Sequence, residues 1–511
     1  MILASLIASL GWPLALLLAL WPARTRRLAQ ALVPLAPLPA LWAAAALPEA
    51  AVLELPWVLL GTRLGLDATG RLFLLFTALT WLAAGLYASA YLGHDARRTA
   101  FWAFFLATQA GNLGLCLALD LASFYTAYAL LTFAAYGLVV HTGTAEAWRA
   151  GRIYLVMAVL GELTLIAGLM MTAHAAGSPL VADLRAASPS PLAVGLVTAG
   201  LGVKVGLPLL HLWLPLAHPV APVPASAVLS GVMLKAGLLG WLRFLPLGHA
   251  AYPEIGTTLM VMGIIAMFYG VAVGLAQRDI KVVLAYSSVS QMGFMTLGVG
   301  AGLTAPGLWP ALLPAVGLYA LHHALAKSAL FLGAGVALQA GGRPWVLAGL
   351  ALPALALAGA PLTSGWLAKA ALKGGLAALP APWTGLVGLA LPLAALGTTL
   401  LMTRLLWLVR RQAGKVPAPG LALPWLTWTG VGLALPWGLA PALGPSPDGA
   451  GLAAATWPVL LGLVLAIIAL RGGIQGPAIP PGDLVVPLER LLQVLIQFRG
   501  GVRIGGWGHG R

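Results

Sequence analysis

The chain has 511 residues, of which 60% are hydrophobic and only 8% charged, and its mean hydropathy is +0.95. These values lie far outside the range of soluble domains and leave no room for a large one, so the chain reads as an all-α polytopic membrane protein. The formal net charge of +15 does not point to nucleic acid, because the basic residues are dispersed through short interhelical loops instead of gathered on one domain.

About 20 apolar residues suffice to cross a hydrocarbon layer of about 30 Å as a helix. Such segments are predicted at 1–20, 28–47, 72–92, 101–119, 121–141, 153–174, 191–215, 224–246, 255–276, 281–301, 307–338, 346–372, 384–412, 421–442 and 453–471. About 14 or 15 spans result. The first lacks a basic leader and a small-residue cleavage site, which makes it a retained helix and not a signal peptide. With the N-terminus outside, about fourteen Lys and Arg fall in loops on one side and about four on the other. The rich loops hold Arg24, Arg26 and Arg27, Arg97 and Arg98, Arg149 and Arg152, Arg278 and Lys281, Arg343, Arg410, Arg411 and Lys415, and Arg471. By the positive-inside rule they are cytoplasmic, as is the C-terminus.

Lys204, Lys235, Lys327 and Lys369 stand inside apolar helices, where translocon scales charge about 2.5 to 3.5 kcal/mol for a lysine at the bilayer centre. Several at similar depth suggest an ion path. Glu162, in VLGELTLIAG, lies about 14 Å into its span at the helical rise. It is the one carboxylate expected deep in the bilayer, since Asp95, Asp120, Asp183, Glu254 and Asp279 map to loops or helix ends. Burial and a close opposite charge act in opposite directions on such groups, so a carboxylate and an ammonium together can switch between charged and neutral forms. His322 and His323 precede Lys327, and His323 shares its helix face; imidazoles titrate in the physiological range.

Other polar residues carry weaker signals. His211 and His218 are placed near the cytoplasmic end of their span, and Tyr286, Ser287, Ser288 and Gln291 could hold water or simply pack. Lys281 and Lys373, near helix ends, read as snorkelling or cytoplasm-facing charges. The lone Cys116 excludes an internal disulfide and any thiolate set for an iron–sulfur cluster. The chain carries no nucleotide fingerprint or metal-ligand cluster, so no cofactor is assigned to it, and redox chemistry, if any, belongs to partner chains.

Two spans carry breakers, Pro208 in KVGLPLLHLWLP and Pro361 with Gly365 in GAPLTSGWLAK. Proline removes a helix hydrogen bond, and backbone freed at membrane depth persists only against protein or a wet cavity. Paired interruptions in two halves point to inverted repeats around a midplane ion path. Beyond the last span, Leu484, Leu488, Leu491, Leu495 and Phe498 follow helical spacing opposite Glu489, Gln493 and Gln497, the pattern of an amphipathic helix resting on the membrane or against a partner subunit.

The run KVGLPLLHLWLPLAHPVAPVPASAVLSGVMLKAG, followed by QRDIKVVLAYSSVSQMGFM, HHALAKSALFLGAG and GAPLTSGWLAK, resembles the proton-conducting antiporter-like membrane subunits. That family is shared by respiratory NADH:quinone oxidoreductase, membrane-bound hydrogenases, Mrp-type cation/proton antiporters and inorganic-carbon uptake complexes. The resemblance implies two inverted five-helix repeats, each with a broken helix, within a proton-conducting domain at 66–412. N-terminal transmembrane helices and a loop at 1–65, C-terminal transmembrane helices at 413–471 and a cytoplasmic tail at 472–511 flank it. By motif position Lys204 looks like the lysine of the first broken helix, Lys235 the bridging lysine, Lys327 the relay lysine beside its histidine, and Lys369 the terminal lysine.

Departures from the pattern are informative. SFYTAYALLTFAAYGL resembles the helix whose glutamate normally pairs with the first lysine, yet Ala129 stands there; Glu162, one helix later, is the candidate substitute. Ser230 and Gln291 replace two family histidines, which shifts the central relay toward water. The resemblance implies a proton-translocating subunit in a bacterial-type inner membrane, working with other membrane subunits. Two alternatives stay open: a cation/proton antiporter or carbon-uptake subunit without redox chemistry, moving sodium or protons, and a non-conducting structural anchor.

Overall fold

The computed structural model describes residues 2–49, 51–59, 61–93, 95–414, 419–443, 449–473, 477, 479–487 and 489. Helix follows helix: α1 (Ile2–Ala19), α2 (Ala23–Leu32) and α3 (Leu38–Ala46) come first, then α4 (Ala68–Tyr91), α5 (Arg98–Leu117), α6 (Leu121–Val139) and α7 (Ala145–Ala176). The short α8 (Val181–Ala186) leads to α9 (Pro191–Val205) and α10 (Trp213–Val220), and α11 (Val223–Val228) leads to α12 (Leu234–Phe244). The remainder are α13 (Pro253–Leu275), α14 (Ile280–Thr304), α15 (Trp309–Ala340), α16 (Pro344–Ala358), α17 (Ser364–Leu376), α18 (Trp383–Arg410), α19 (Pro419–Leu443) and α20 (Gly449–Arg471). Among the described residues, 11 helical segments are long and apolar enough to cross a membrane. The protein is a multi-pass membrane protein.

Several expected boundaries move. The span expected at 28–47 begins at Ala23 and is interrupted by a 3-10 turn at Val33–Leu35, where Pro34 and Pro37 leave backbone donors missing. The helix expected at 153–174 starts at Ala145 behind a Thr144 cap. A two-stranded hairpin pairs β1 (Val52–Leu55) with β2 (Thr62–Gly65) in antiparallel register, in a loop for which no strand was expected. Most of the expected amphipathic segment at 484–498 lies outside the described residues.

The breaks fall at the two prolines. The helix α9 ends on Gly206 (φ +80°), with Leu209 at φ +71° beyond Pro208. In the same order and spacing, α16 ends on Gly359 (φ +84°), with Leu362 at φ +62° beyond Pro361. Left-handed leucines are costly, about 1–3 kcal/mol each, so two of them in matching positions mark a built feature.

Lipid-facing and interior helices differ in content. Leu160 and Leu163 of α7, Leu386 and Leu389 of α18, and Ile467 and Ile468 of α20 are exposed, as apolar side chains in a bilayer can be. The unit from α11 through α12 and the helix α14 are buried throughout, and these interior elements carry the polar residues. Close helix approach depends on glycine. A Cβ on Gly200 would stand 2.6 Å from the Leu165 backbone nitrogen, so only glycine lets α9 lie this close to α7, in the manner of small-residue packing in membranes.

Candidate functional site

Glu162 faces inward. Although Leu160 and Leu163 beside it are exposed, Glu162 is only 4% exposed, because α7 turns that side toward α6 and α9. Its carboxylate lies beside Tyr125 and Thr132 of α6 and within electrostatic reach of Lys204. Tyr125, Ala129 and Thr132 share one face of α6 by helical spacing. The carboxylate therefore sits against the face of α6 that carries Ala129. Neither oxygen has a hydrogen-bond partner, and no ion pair within 4.0 Å joins Glu162 to Lys204 among the described residues. The pair interacts across a gap.

Lys204 occupies the last turn of α9, where the helix dipole favours a cation. Its Nζ lies 5.3 Å from the Tyr128 ring centroid, 5.6 Å from that of Tyr154 and 6.0 Å from that of Trp213, a π-cage that partly replaces water around the ammonium. Trp213 is fixed by donating Nε1–H to the Val203 carbonyl at 2.8 Å. A cavity of about 10 Å³ lies among Thr132, Lys204 and these rings, close to the least volume that admits a water.

A cluster of hydrogen bonds lies at the centre of the bundle. Lys235 Nζ donates to the Ser230 carbonyl at 2.7 Å, where a π-turn at Leu229–Met233 interrupts the regular ladder; such turns recur at functional sites. The Ser230 and Ser288 hydroxyls meet at 2.7 Å. Ser288 donates to the Leu284 carbonyl at 3.1 Å, and Lys327 Nζ donates to the same oxygen at 2.8 Å. Lys235 and Lys327 are thus linked through two backbone carbonyls, those of Ser230 and Leu284, and through the contact between the Ser230 and Ser288 hydroxyls; the carbonyls only accept, so passage of a proton between the lysines needs water or the adjacent histidines.

The histidine pair divides the path. His323 lies within electrostatic reach of Lys235 and Lys327, with both ring nitrogens unpaired. His322 interacts with Lys235 and Lys369, and its Nδ1 contacts the Ser364 hydroxyl at 2.9 Å. Lys369 is partly buried, and its Nζ donates to the Leu357 and Ala358 carbonyls at 3.1 and 2.7 Å, the free carbonyls at the end of α16. Lys204 and Lys369 come from opposite sides of their breaks, yet both ammonium groups end at the C-terminus of a half-helix. Gln291 accepts from Tyr319 at 2.8 Å and donates to Thr398 at 3.1 Å, tying α14, α15 and α18 together.

Two residues differ from the sequence reading. Lys281 is not a snorkelling charge: it is buried, and its Nζ donates to the Pro219 and Ala221 carbonyls at 3.1 and 2.6 Å, capping the end of α10. Nor is His211 near a helix end. It lies inside the first break, 3.8 Å from Asp483, and the Tyr269 hydroxyl also donates to that carboxylate. Burial lifts the Asp483 carboxyl above its usual range, partly offset by the Leu484 N–H. His218, stacked on Phe331 at 4.5 Å, lies within reach of both Lys281 and Lys327. Local spacing could not find these contacts, because each joins segments remote in sequence. Lys373 is exposed, as expected.

Buried lysines clustered with histidines and serines inside a helical membrane bundle, beside two proline-broken helices, define the chain as an antiporter-like membrane protein. It belongs to the family described as NADH:quinone oxidoreductase/Mrp antiporter, transmembrane, which matches residues 118–391. The chain is 33% identical over 336 residues to NADH-quinone oxidoreductase subunit N of Desulforudis audaxviator (strain MP104C), covering 61% of this chain and 65% of that protein. It is 31% identical over 333 residues to hydrogenase-4 component B of Escherichia coli (strain K12), covering 59% and 49%. The matched region thus spans 49% to 65% of the length of these relatives. The fold is that of a chain in the Mrp complex from Dietzia sp. DQ12-45-1b, with a TM-score of 0.80 and 23% identity, covering 98% of this chain and 59% of that one.

Proposed function

We propose that this chain is the ion-translocating subunit, moving protons, of a multi-subunit energy-coupling complex in a bacterial-type cytoplasmic membrane. Its N-terminus lies outside and its C-terminus in the cytoplasm; residues 66–412 form the conducting unit, built as two inverted five-helix repeats. The Gly-X-Pro-Leu breaks after α9 and α16 support the repeats, and the intervening crossings reverse the second relative to the first. The cluster of buried Lys235, Ser230, Ser288, His323 and Lys327 carries the reading, since ammonium, imidazole and hydroxyl groups can exchange protons directly or through intervening water.

In this reading Glu162 and Lys204 form the switch pair, and Lys235 is the junction. His322 passes charge toward Lys369, while His323 and the serines pass it toward Lys327, with His218 and Lys281 continuing toward the arginine-rich side. Partner subunits supply the driving chemistry. An inert anchor would gain stability by replacing such lysines with apolar residues, so their retention speaks for conduction. The test is flux in vesicles reconstituted with the full chain, comparing Lys204→Met and Lys369→Met with wild type under pH and sodium gradients. The expected result is pH-driven flux that falls to background in both variants; wild-type flux in either would end the proposal, and flux driven only by sodium would replace it with a sodium pathway.

A further inference from the structure

Remote from the lysine axis, a cleft of about 670 Å³ opens between α13, α18 and α20 on the side of the arginine-rich loops. Arg278, Arg404 and Arg411 line its mouth, and Leu400, Ala466 and Ala469 line its inner part. Along α18 and its C-cap the eleven steps from Leu400 to Arg411 rise about 16 Å, so the cleft runs from the depth of lipid headgroups into that of acyl chains. Trp407 stands at the mouth with the Arg411 guanidinium 3.8 Å and the Arg404 guanidinium 4.6 Å from its ring centroid. Indoles concentrate at this level of a bilayer.

The charges lack a counter-ion. Arg404 donates to the Gln277 carbonyl at 3.3 Å, its Nε is buried without a partner, and it feels the positive charges of Arg411 and Arg278. The nearby Asp279 spends its Oδ1 on the Lys281 and Val282 N–H groups at the start of α14. Among the described residues none of the three arginines forms an ion pair. Converging like charges repel unless an anion joins them, and guanidinium forks match phosphate geometry.

We propose that this cleft is a binding site for an anionic phospholipid, with the headgroup phosphate held by Arg404 and Arg411 and an acyl chain laid along Leu400, Ala466 and Ala469. A free phosphate satisfies the arginines but leaves the apolar part of the cleft uncovered, which selects the amphiphile. Occupancy braces α20 against α13 and α18, independently of proton movement.

The experiment is native mass spectrometry of the purified full chain in a neutral detergent, titrated in separate arms with phosphatidylglycerol, phosphatidylcholine of the same chain length, and inorganic phosphate. One phosphatidylglycerol should be retained in preference to phosphatidylcholine, and Arg404→Gln/Arg411→Gln should weaken it about 30-fold, while Arg27→Gln, far from the cleft, should not. Ala469→Phe, which fills the apolar part without touching the charges, should also displace it; this variant decides the matter if the double variant is not monodisperse. Equal retention of the two lipids, wild-type retention in Ala469→Phe, or displacement of the lipid by inorganic phosphate at equal concentration would each overturn the proposal.

Discussion

If Glu162 is the switch acid proposed above, a carboxylate has changed helices and kept its role. What a charge interaction needs is a position in space, and Glu162 of α7 stands beside Tyr125 and Thr132 of α6, within electrostatic reach of Lys204. Removing one member of a buried charge pair costs about 3–5 kcal/mol, so Glu162→Gln should hold Lys204 neutral and lower proton flux at least about tenfold. Adding Ala129→Glu to that variant should recover flux, as read by quenching of a pH-sensitive dye in vesicles. Wild-type flux in Glu162→Gln alone would remove Glu162 from the path. The sequence revealed Glu162 by its isolation among apolar residues, and the four lysines likewise. It could not reveal that serines 230 and 288 touch, because their hydroxyls meet only when α14 packs on the π-turn before α12.

At the level of elements, the two breaks matter more than any helix. Gly206 lies in the left-handed region with only ordinary contacts waiting for a Cβ, His211 Cβ at 3.8 Å and Leu214 Cδ2 at 3.9 Å. The cost of Gly206→Ala is therefore in the backbone, about 1–2 kcal/mol, and should appear as a lowered thermal midpoint in detergent. A midpoint equal to wild type would mean that the break relaxes freely. The loops between α4 and α5 and between α6 and α7 are pinned by His141 Nε2 and Asp95 Oδ2 at 3.0 Å. Burial pulls the Asp95 carboxyl upward, but the His141 hydrogen bond, the Arg97 N–H and the charges of both residues outweigh it and leave it below the usual range. A carboxyl lowered on folding stabilises the fold above its unfolded value, near 3.9, and that contribution fades as pH falls through the folded value. In Asp95→Asn the loss of stability between about pH 5 and pH 3 should be shallower than in wild type; identical acid limbs would contradict the linkage. Proline and glycine made the breaks legible in the sequence, whereas the 3-10 turn after α2 and the hairpin in the following loop rest on tertiary contacts with α4 and α6.

For the whole molecule, charge asymmetry and helix order make one prediction, the orientation. Cys116 is buried, so a Cys116→Ser background leaves no native thiol to label. On it, Glu146→Cys in the exposed start of α7 should react with a membrane-impermeant maleimide only from the cytoplasmic side, and Ser188→Cys, before α9, only from outside. The reverse pattern would invert the topology. Composition, hydropathy period, loop charge and four motifs determined by themselves that the chain is a bundle of membrane helices with lysines inside it, because lipid solvation and helix pitch act locally along a sequence. Which polar groups touch was decided only by tertiary structure. Lys281 capping α10, Asp483 reaching His211, and the Lys235–Ser230–Ser288–Lys327 cluster all join residues far apart in sequence, and such contacts exist only once the apolar faces have packed.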